Sequence, residues 1–269
     1  MKIWCQSMAS LEALPAYRSS LHAHVRRCLG EDADFEFHGV DDRIYAGSPP
    51  ADVVRYPYLR YLVHRQIFDQ CTRAEAGKFD VIAFASFAEP FLSECRSLVS
   101  VPIASMAECT LLVGCSLAEK MALITLAPAN VTRVRALVQK HRLGERVSGI
   151  YPLSPSVTER DLNAAFTSPQ AVLDNFESVA ARAVEEGADL VIPAEGVLNE
   201  LISSFGPRRI SNVSVMDSLA VVLRYAEMLT SLKMRTGLEV GRKWSHSTPT
   251  PELLAKIQQA ADQIAATHK

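Results

Sequence analysis

The sequence predicts an α/β protein of two pseudo-symmetric lobes, Rossmann-like or flavodoxin-like, each with a parallel sheet between helices and with a site in the cleft between them. Short runs rich in β-branched and aromatic residues alternate with longer helical runs, an order typical of parallel sheets. In addition, residues 79–90 (FDVIAFASFAEP) and 188–199 (ADLVIPAEGVLN) each lead from a buried strand into a turn of small residues. This repeated context indicates two quasi-equivalent units.

The first part of the chain contains four predicted strands, which cover residues 2–5, 34–38, 79–85 and 101–105. Its predicted helices cover residues 15–28, 58–76, 89–98 and 107–117. Apolar residues recur at one-face helical spacing from Leu14 to Val25, and Gly77 is placed to end the second helix. Residues 41–57 contain a glycine and a Pro-Pro pair, and we expect them to form a loop.

The second part repeats this alternation, with predicted strands over residues 120–125, 147–152 and 189–193. Predicted helices cover residues 130–141, 169–186, 216–232 and 251–266, and a polar segment over 154–167 has room for one short helix. We assign residues 1–115 and 214–235 to the first lobe and residues 116–213 to the second. Residues 236–269 form a tail whose helix is either a solvated cap or a dimer arm.

Composition limits the classes of partner. The chain has 269 residues and a net charge of −2, which provides no electrostatic case for binding nucleic acid or an anionic membrane. No apolar run approaches the ~20 residues of a membrane helix, and the first residues have no secretory pattern. The six cysteines show neither CxxC spacing nor a Cys–His cluster. We therefore expect a cytoplasmic protein with reduced thiols, and we also expect a homo-oligomer.

Ligands of parallel sheets bind outside the carboxyl ends of the strands. The residues that follow the predicted strands here include Gln6, Ser7, Ser86, Phe87, Glu108, Thr125, Glu195 and Gly196. If the two lobes face each other, the turns at Ser86 and Glu195 oppose one another across a cleft. There is no GxGxxG, Walker or GxSxG motif and no HExxH. We therefore expect a small-molecule substrate and neither a cofactor nor a metal.

Four segments resemble motifs of the aspartate/glutamate/hydantoin racemase superfamily, whose relatives include arylmalonate decarboxylases and maleate isomerases. Residues 79–90 resemble its strand that ends in Ala-Cys before an acid-Pro pair, and residues 101–108 (VPIASMAE) are similar to its Pro-Val-x-Gly-x-x-Glu-Ala stretch. Residues 121–128 (MALITLAP) resemble its strand that ends in threonine, and residues 187–196 (GADLVIPAEG) resemble its Gly-Cys turn. The four lie in the family's order and spacing, and the resemblance covers most of residues 1–235.

The resemblance implies a pseudo-twofold pair of lobes and, in the racemases, two cysteines that transfer a proton on opposite faces of a carbon acid. Those cysteine positions map onto Ser86 and Glu195, so the chain resembles a divergent member that lacks both thiols. Ser86 is expected to donate a hydrogen bond or, if activated, to attack a carbonyl. Desolvation of Glu195 in a partly dry cleft would raise its pKa and make it a general acid or base.

Each of these residues also has a structural interpretation. Glu195 and Glu108 stand where helices are expected to begin, and the positive end of a helix favours a carboxylate. Ser86 is placed to cap a helix beginning near Glu89. Gln6 and Ser7 either cap a turn or bind substrate, and Thr125 is either an ordinary strand end or a carboxylate ligand. Phe87 and Gly196 share the two turns. Cys5 and Cys109 are the thiols nearest to the expected cleft.

The favoured hypothesis is a cofactor-independent, isomerase- or racemase-like enzyme that acts on a small carbonyl or carboxylate compound by proton transfer through Glu195. One alternative is a lyase, decarboxylase or hydrolase in which Glu195 activates water. A second alternative, from a different class, is a non-catalytic small-molecule binding protein that retains the racemase fold.

Overall fold

The computed structural model describes residues 1–48 and 50–267, which form two sheets flanked by helices. The first sheet contains β1 (Lys2–Gln6), β2 (Asp34–His38), β3 (Val81–Phe84) and β4 (Ile103–Ser105), all parallel, in the order β2-β1-β3-β4. The second contains β5 (Met121–Thr125), β6 (Val147–Pro152), β7 (Leu190–Pro193), β8 (Arg209–Ile210) and β9 (Val213–Val215), in the order β6-β5-β7-β9-β8. Only β8 pairs antiparallel among these described strands. We call the parts built on these sheets the first and second lobes.

The helices before residue 118 are α1 (Pro15–Leu29), α2 (Pro50–Val54), α3 (Pro57–His64), α4 (Gln66–Ala76), α5 (Leu92–Leu98) and α6 (Met106–Leu117). Those after it are α7 (Pro128–Lys140), α8 (Glu159–Ala165), α9 (Gln170–Glu185), α10 (Gly196–Phe205), α11 (Ser218–Thr236) and α12 (Pro251–Thr267). Short 3-10 turns lie at Asp42–Tyr45 and Gly144–Arg146. The α/β class and the two parallel-dominated, helix-flanked sheets confirm the predicted fold.

The two lobes repeat the same order of elements. Strands β1, β2, β3 and β4 take the places in the first sheet that β5, β6, β7 and β9 take in the second. Every residue of β3, β5 and β7 is buried, as apolar runs are when helices cover both faces of a sheet. In the first sheet Gln6 pairs with Phe84, and in the second sheet Ile124 pairs with Pro193. The central strands of each sheet therefore end side by side. Each lobe therefore presents one edge of strand ends.

One apolar core joins the lobes. The largest cluster of buried side chains contains Ile3 and Val81 from the first sheet together with Leu123 and Val191 from the second. Helix α11 packs against α1, α6, β3 and β4, so the chain returns to the first lobe after completing the second sheet. The boundaries of the predicted domains stay predictions.

Several predicted elements of the first lobe are corrected. The expected loop over residues 41–57 contains α2 and a 3-10 turn, and the Asp41 carboxylate caps that turn by accepting from the Arg43 N–H at 3.0 Å. The expected helix over residues 58–76 is two helices, α3 and α4. The helix expected from Glu89 begins at Leu92, because Phe91 takes a left-handed conformation with φ 55°. Residues 49, 268 and 269, which fall in the predicted loop and tail, lie outside the described residues.

The second lobe contains elements whose bounds the sequence pattern did not predict. Helix α10 is buried from Gly196 to Ser203, so it lacks the polar face that marks an amphipathic helix. Strands β8 and β9 have two and three residues, too few for a visible alternation. The short helix allowed for in residues 154–167 is α8.

The C-terminal helix α12 has exposed or half-exposed side chains wherever these are described. The choice between a solvated cap and a dimer arm, and the expected homo-oligomer, stay predictions. Within residues 1–48 and 50–267, no helix is long and apolar enough to cross a membrane.

Candidate active site

The turns that follow β3 and β7 approach each other between the lobes. A carbon placed at the Cβ position of Gly196 would lie 3.4 Å from the Ala85 carbonyl oxygen and 3.6 Å from Ser86 Cα. The same point lies 3.7 Å from the Tyr17 hydroxyl oxygen. The structure thus brings Ser86 close to Gly196 and to its neighbour Glu195. About 110 residues of chain separate the two turns.

Glu195 combines the two roles that its position allows. It caps α10, and its Oε2 accepts a hydrogen bond from the Leu198 N–H at 2.7 Å. Burial raises the pKa of Glu195 above its usual range, while the N–H groups of Leu198 and Val197 act in the opposite direction. The net rise means that burial outweighs the capping bonds, so this carboxylate is harder to ionise than an exposed glutamate.

Tyr17 is a site residue that sequence reasoning missed. It lies on α1, is 2% exposed, and directs its hydroxyl toward the Gly196 turn. Burial and the charges of Glu195 and Glu200 raise its pKa, whereas a side-chain hydrogen bond with Ser7 lowers it, and the net effect is a rise. The phenol therefore keeps its proton at neutral pH and acts as a donor. In the sequence Tyr17 belongs to the apolar stripe of a predicted helix, and its hydroxyl is the only sign of a functional role.

The hydroxyls of Ser7 and Ser86 occupy equivalent tight turns. The Ala9 N–H donates to Ser7 Oγ at 3.1 Å, and the Ala88 N–H donates to Ser86 Oγ at 3.2 Å. An accepting hydroxyl still has its own O–H to donate. Ser86 does not cap a helix, because α5 begins six residues later.

Thr125 ends β5 at the edge of the second sheet. It is 1% exposed, and its Oγ1 has no hydrogen-bond partner within the described part of the chain. Helix α7 begins three residues later, and no side chain caps its N-terminus. A buried hydroxyl costs free energy unless it is paired, and a helix N-terminus favours an anion. The two features together suit a substrate oxygen.

Gln6 and Glu108 are committed to contacts within the first lobe. The Gln6 amide oxygen accepts from Trp4 Nε1 at 3.0 Å, and its Nε2 donates to the carbonyls of Ser7 and His38 at 2.9 and 3.2 Å. The Glu108 carboxylate accepts from Arg96 Nη1 at 3.1 Å. These protein contacts give both residues a structural role, and the substrate-binding roles expected for Gln6 and Glu108 stay predictions.

The remaining predicted residues are buried near the turns. Phe87 is 5% exposed and belongs to the core that the two sheets share. Cys5 and Cys109 are fully buried, and burial raises the pKa of both thiols far above the usual range. Neither is a reactive thiolate near neutral pH.

Basic side chains lie around the same site. Burial and the charge of Arg60 lower the pKa of Arg133, while Glu195 raises it, so these three groups act on one another. Burial, with Arg60 and Arg133, lowers the pKa of His64 to about 4, and the imidazole is neutral at pH 7. Arg60 and His64 come from α3 and Arg133 from α7, so both lobes contribute.

The site is largely buried in this conformation. Ser7, Thr125 and Gly196 are buried, and Ser86 and Glu195 are half-buried. A surface concavity of about 380 Å³ lies instead beside the end of β2, lined by Leu11, Arg18, Phe37, His38, Asp41 and Arg43. It does not include the facing turns, which define the candidate site by their chemistry. Across residues 1–48 and 50–267, no three His, Cys, Asp or Glu side chains are grouped to hold a metal ion.

The fold and the facing turns define a class of two-lobed α/β proteins whose candidate chemistry lies between the lobes. Comparison with known proteins identifies the family: the Asp/Glu/Hydantoin racemase family model matches residues 21–226, and the chain belongs to this family. The hydantoin racemase of Pseudomonas sp. (strain NS671) is 25% identical over 202 residues, covering 73% of this chain and 77% of that protein.

Solved structures agree with this assignment at the level of the fold. An allantoin racemase from Klebsiella pneumoniae has a TM-score of 0.74 at 15% identity, covering 93% of this chain and 94% of that chain. An allantoin racemase from Pseudomonas fluorescens has a TM-score of 0.70 at 16% identity, covering 93% and 98%. The predicted family and the two-lobe fold are confirmed.

Proposed function

We propose that this protein is a cofactor-independent enzyme that transfers a proton on a small carbonyl or carboxylate compound, with Glu195 as the general acid/base. The observation that carries the proposal is the placement of Glu195, half-buried opposite Ser86 and Tyr17 in surroundings that raise its pKa. A carboxylate with a raised pKa accepts and returns protons closer to neutral pH than an exposed one.

In this mechanism the ionised Glu195 removes a proton from the carbon next to a carbonyl. The negative charge that develops on the substrate oxygen is stabilised by hydrogen bonds from hydroxyl donors, for which the candidates are Ser86 and the one free O–H of the hydrogen-bonded pair Tyr17 and Ser7. Thr125 and the N-terminus of α7 bind a second oxygen of the substrate. Glu195 then returns the proton to carbon, at the same position or at a neighbouring one.

The substrate class follows from the site and from the relatives. The charges of Arg60 and Arg133 favour a substrate that carries, or develops, negative charge. The similarity to a hydantoin racemase and to allantoin racemases supports small cyclic ureides as the first compounds to test.

A non-catalytic binding protein is the second candidate. It is favoured by one observation, the capping bond between Glu195 and the Leu198 N–H, which gives the carboxylate a structural role that needs no chemistry.

The test is proton NMR in D2O with hydantoins, allantoin, amino acids, substituted malonates and maleate. Deuterium incorporation or a new product that is lost in Glu195→Gln supports the proposal, because the amide oxygen still caps α10 but no longer carries a proton. The matched control is Glu75→Gln, another half-buried glutamate that accepts a backbone N–H, from Ser100 at 2.6 Å. Turnover that survives Glu195→Gln would refute the mechanism, and a ligand that binds without turnover would favour the binding protein.

A further inference from the structure

Two buried ionic contacts cross from one lobe to the other. In the first, Glu89, three residues after Ser86, accepts from Lys140 Nζ at 2.7 Å and from His141 Nε2 at 2.6 Å, at the end of α7. Ser105 Oγ donates to its other oxygen at 2.5 Å. We call Glu89, Lys140 and His141 the first latch.

The second contact has the same design in the opposite direction. His24 on α1 in the first lobe places Nδ1 2.6 Å from Glu200 Oε2, five residues after Glu195 in the second lobe. Its Nε2 lies 2.8 Å from Asp217 Oδ2, and Ser20 Oγ donates to the other Glu200 oxygen at 2.5 Å. We call His24, Glu200 and Asp217 the second latch.

The two latches use corresponding elements of the two lobes. Helix α1 follows β1 as α7 follows β5, and the Ser86 turn follows β3 as the Glu195 turn follows β7. In the second latch a histidine within α1 meets a carboxylate five residues after Glu195, and in the first a histidine at the end of α7 meets a carboxylate three residues after Ser86. Each latch therefore ties one turn to the opposite lobe.

Burial gives these contacts their strength. The side chains of Glu89 and Glu200 are 1% and 0% exposed. A buried carboxylate is costly unless it is paired, and separation of the lobes would take away its basic partners. Closure of the cleft is therefore coupled to pairing of both carboxylates.

The latches differ in access to water. In the first, the Lys140 side chain is 45% exposed, whereas in the second His24 is 2% exposed and lies between two carboxylates. Water can solvate the partners of Glu89 far more easily than those of Glu200. The first latch is thus the weaker of the two.

We propose that Glu89 and Glu200 are positioning residues that hold the Ser86 and Glu195 turns against each other, and that the first latch releases when the buried site admits a ligand. Neither residue needs to touch substrate. The test has two arms. The turnover arm measures enzyme kinetics and rests on the proposed function, whereas the exchange arm measures amide hydrogen exchange and does not.

The exchange arm measures amide hydrogen exchange by mass spectrometry in the full chain. Glu89→Gln is expected to speed exchange about tenfold or more in the two turns, residues 85–89 and 195–198, and to leave the strand interiors 81–84 and 190–192 unchanged, because local opening exposes only the cleft. The matched control, Glu108→Gln, removes the same charge from an ion pair with Arg96 inside one lobe and should leave both turns protected.

A triple-mutant comparison distinguishes a latch from general weakening. If the three residues act as one unit, adding Lys140→Met and His141→Gln to Glu89→Gln speeds exchange in the turns no further. The proposal would be overturned if exchange sped up equally in strands and turns, or if Glu89→Gln left exchange in the turns unchanged. It would also be overturned if the effects of the three substitutions on the exchange rate multiplied.

The turnover arm uses any substrate found by NMR. A smaller closed population lowers apparent affinity, while saturating substrate restores closure, so Glu89→Gln should raise KM about tenfold and change kcat less than about threefold. A loss confined to kcat would refute a positioning role. Absence of turnover in the wild type would refute the proposed function alone, because the exchange arm would still decide the latch.

Discussion

The two latches make the same contact between the lobes with opposite charge balance. In the first, one carboxylate, Glu89, has two basic partners; in the second, one imidazole, His24, has two acidic partners. Burial acts against both charges, yet hydrogen bonds from His141 and Lys140 lower the pKa of Glu89, and those with Asp217 and Glu200 raise the pKa of His24 to about 11. A pseudo-symmetric fold can thus keep a contact while exchanging which lobe supplies the charge.

The facing turns show a sharper asymmetry. The turn of the first lobe presents a neutral hydroxyl at Ser86, and the turn of the second presents a carboxylate at Glu195. A hydroxyl without an adjacent base donates a hydrogen bond, whereas a carboxylate of raised pKa also carries a proton. The proposed chemistry therefore has a proton carrier on one side of the cleft and oxygen-binding groups on the other.

The largest expected effect tests this asymmetry of the turns. Glu195→Gln should lower kcat by about 10³-fold, the loss typical of a general acid/base, whereas Ser86→Ala should lower it only about tenfold, the loss of one hydrogen bond. Deuterium incorporation rates at saturating substrate give both values. Equal losses in the two variants would mean that the two turns share the proton transfer.

The next effect compares the latches through the free energy of unfolding. His24→Gln leaves Glu200 buried without a cation, whereas the half-buried Asp217 keeps Arg208 at 3.6 Å, and the change should cost about 3–5 kcal/mol. Glu89→Gln leaves Lys140 free to be solvated and should cost about 1–2 kcal/mol. Denaturant unfolding of both variants gives the difference. A larger cost for Glu89→Gln would reverse the assignment of the weaker latch.

A smaller effect is the pH dependence of the second latch. Because the pKa of His24 is raised to about 11, its stabilisation is complete below the unfolded value near 6.5 and is lost as pH rises toward 11. The difference in unfolding free energy between wild type and His24→Gln should therefore shrink steadily from about pH 6.5 and vanish near pH 11. A constant difference across that range would show that the pair does not titrate as described.

The sequence predicted most of the fold because its evidence is local. Buried strands such as residues 190–193 and the residues after them can be located from a single window of sequence, and this placed Ser86 and Glu195 at facing strand ends. The same rule also selected Gln6 and Glu108, since a polar residue after a strand looks alike whether its partner is a ligand or Arg96. The partners of such polar side chains can be identified only in the structure.

The latches had no local signal at all. His24 and Glu200 are 176 residues apart, and Glu89 and His141 are 52 apart, so no periodicity or motif joins them. Contacts of this range depend on how the two lobes meet, which the pattern of strands and helices does not determine.

The smallest expected effect on stability belongs to Thr125 and separates binding from folding at one hydroxyl. Thr125→Val removes an Oγ1 that has no partner among the described residues and replaces it with a methyl group of similar size. Because no protein hydrogen bond is lost, the free energy of unfolding should change by less than about 1 kcal/mol or rise slightly. If this hydroxyl binds a substrate oxygen, KM should increase about tenfold, the value of one hydrogen bond. Loss of stability with unchanged KM would instead make Thr125 an ordinary strand end, and would leave the N-terminus of α7 without support as an oxygen-binding site.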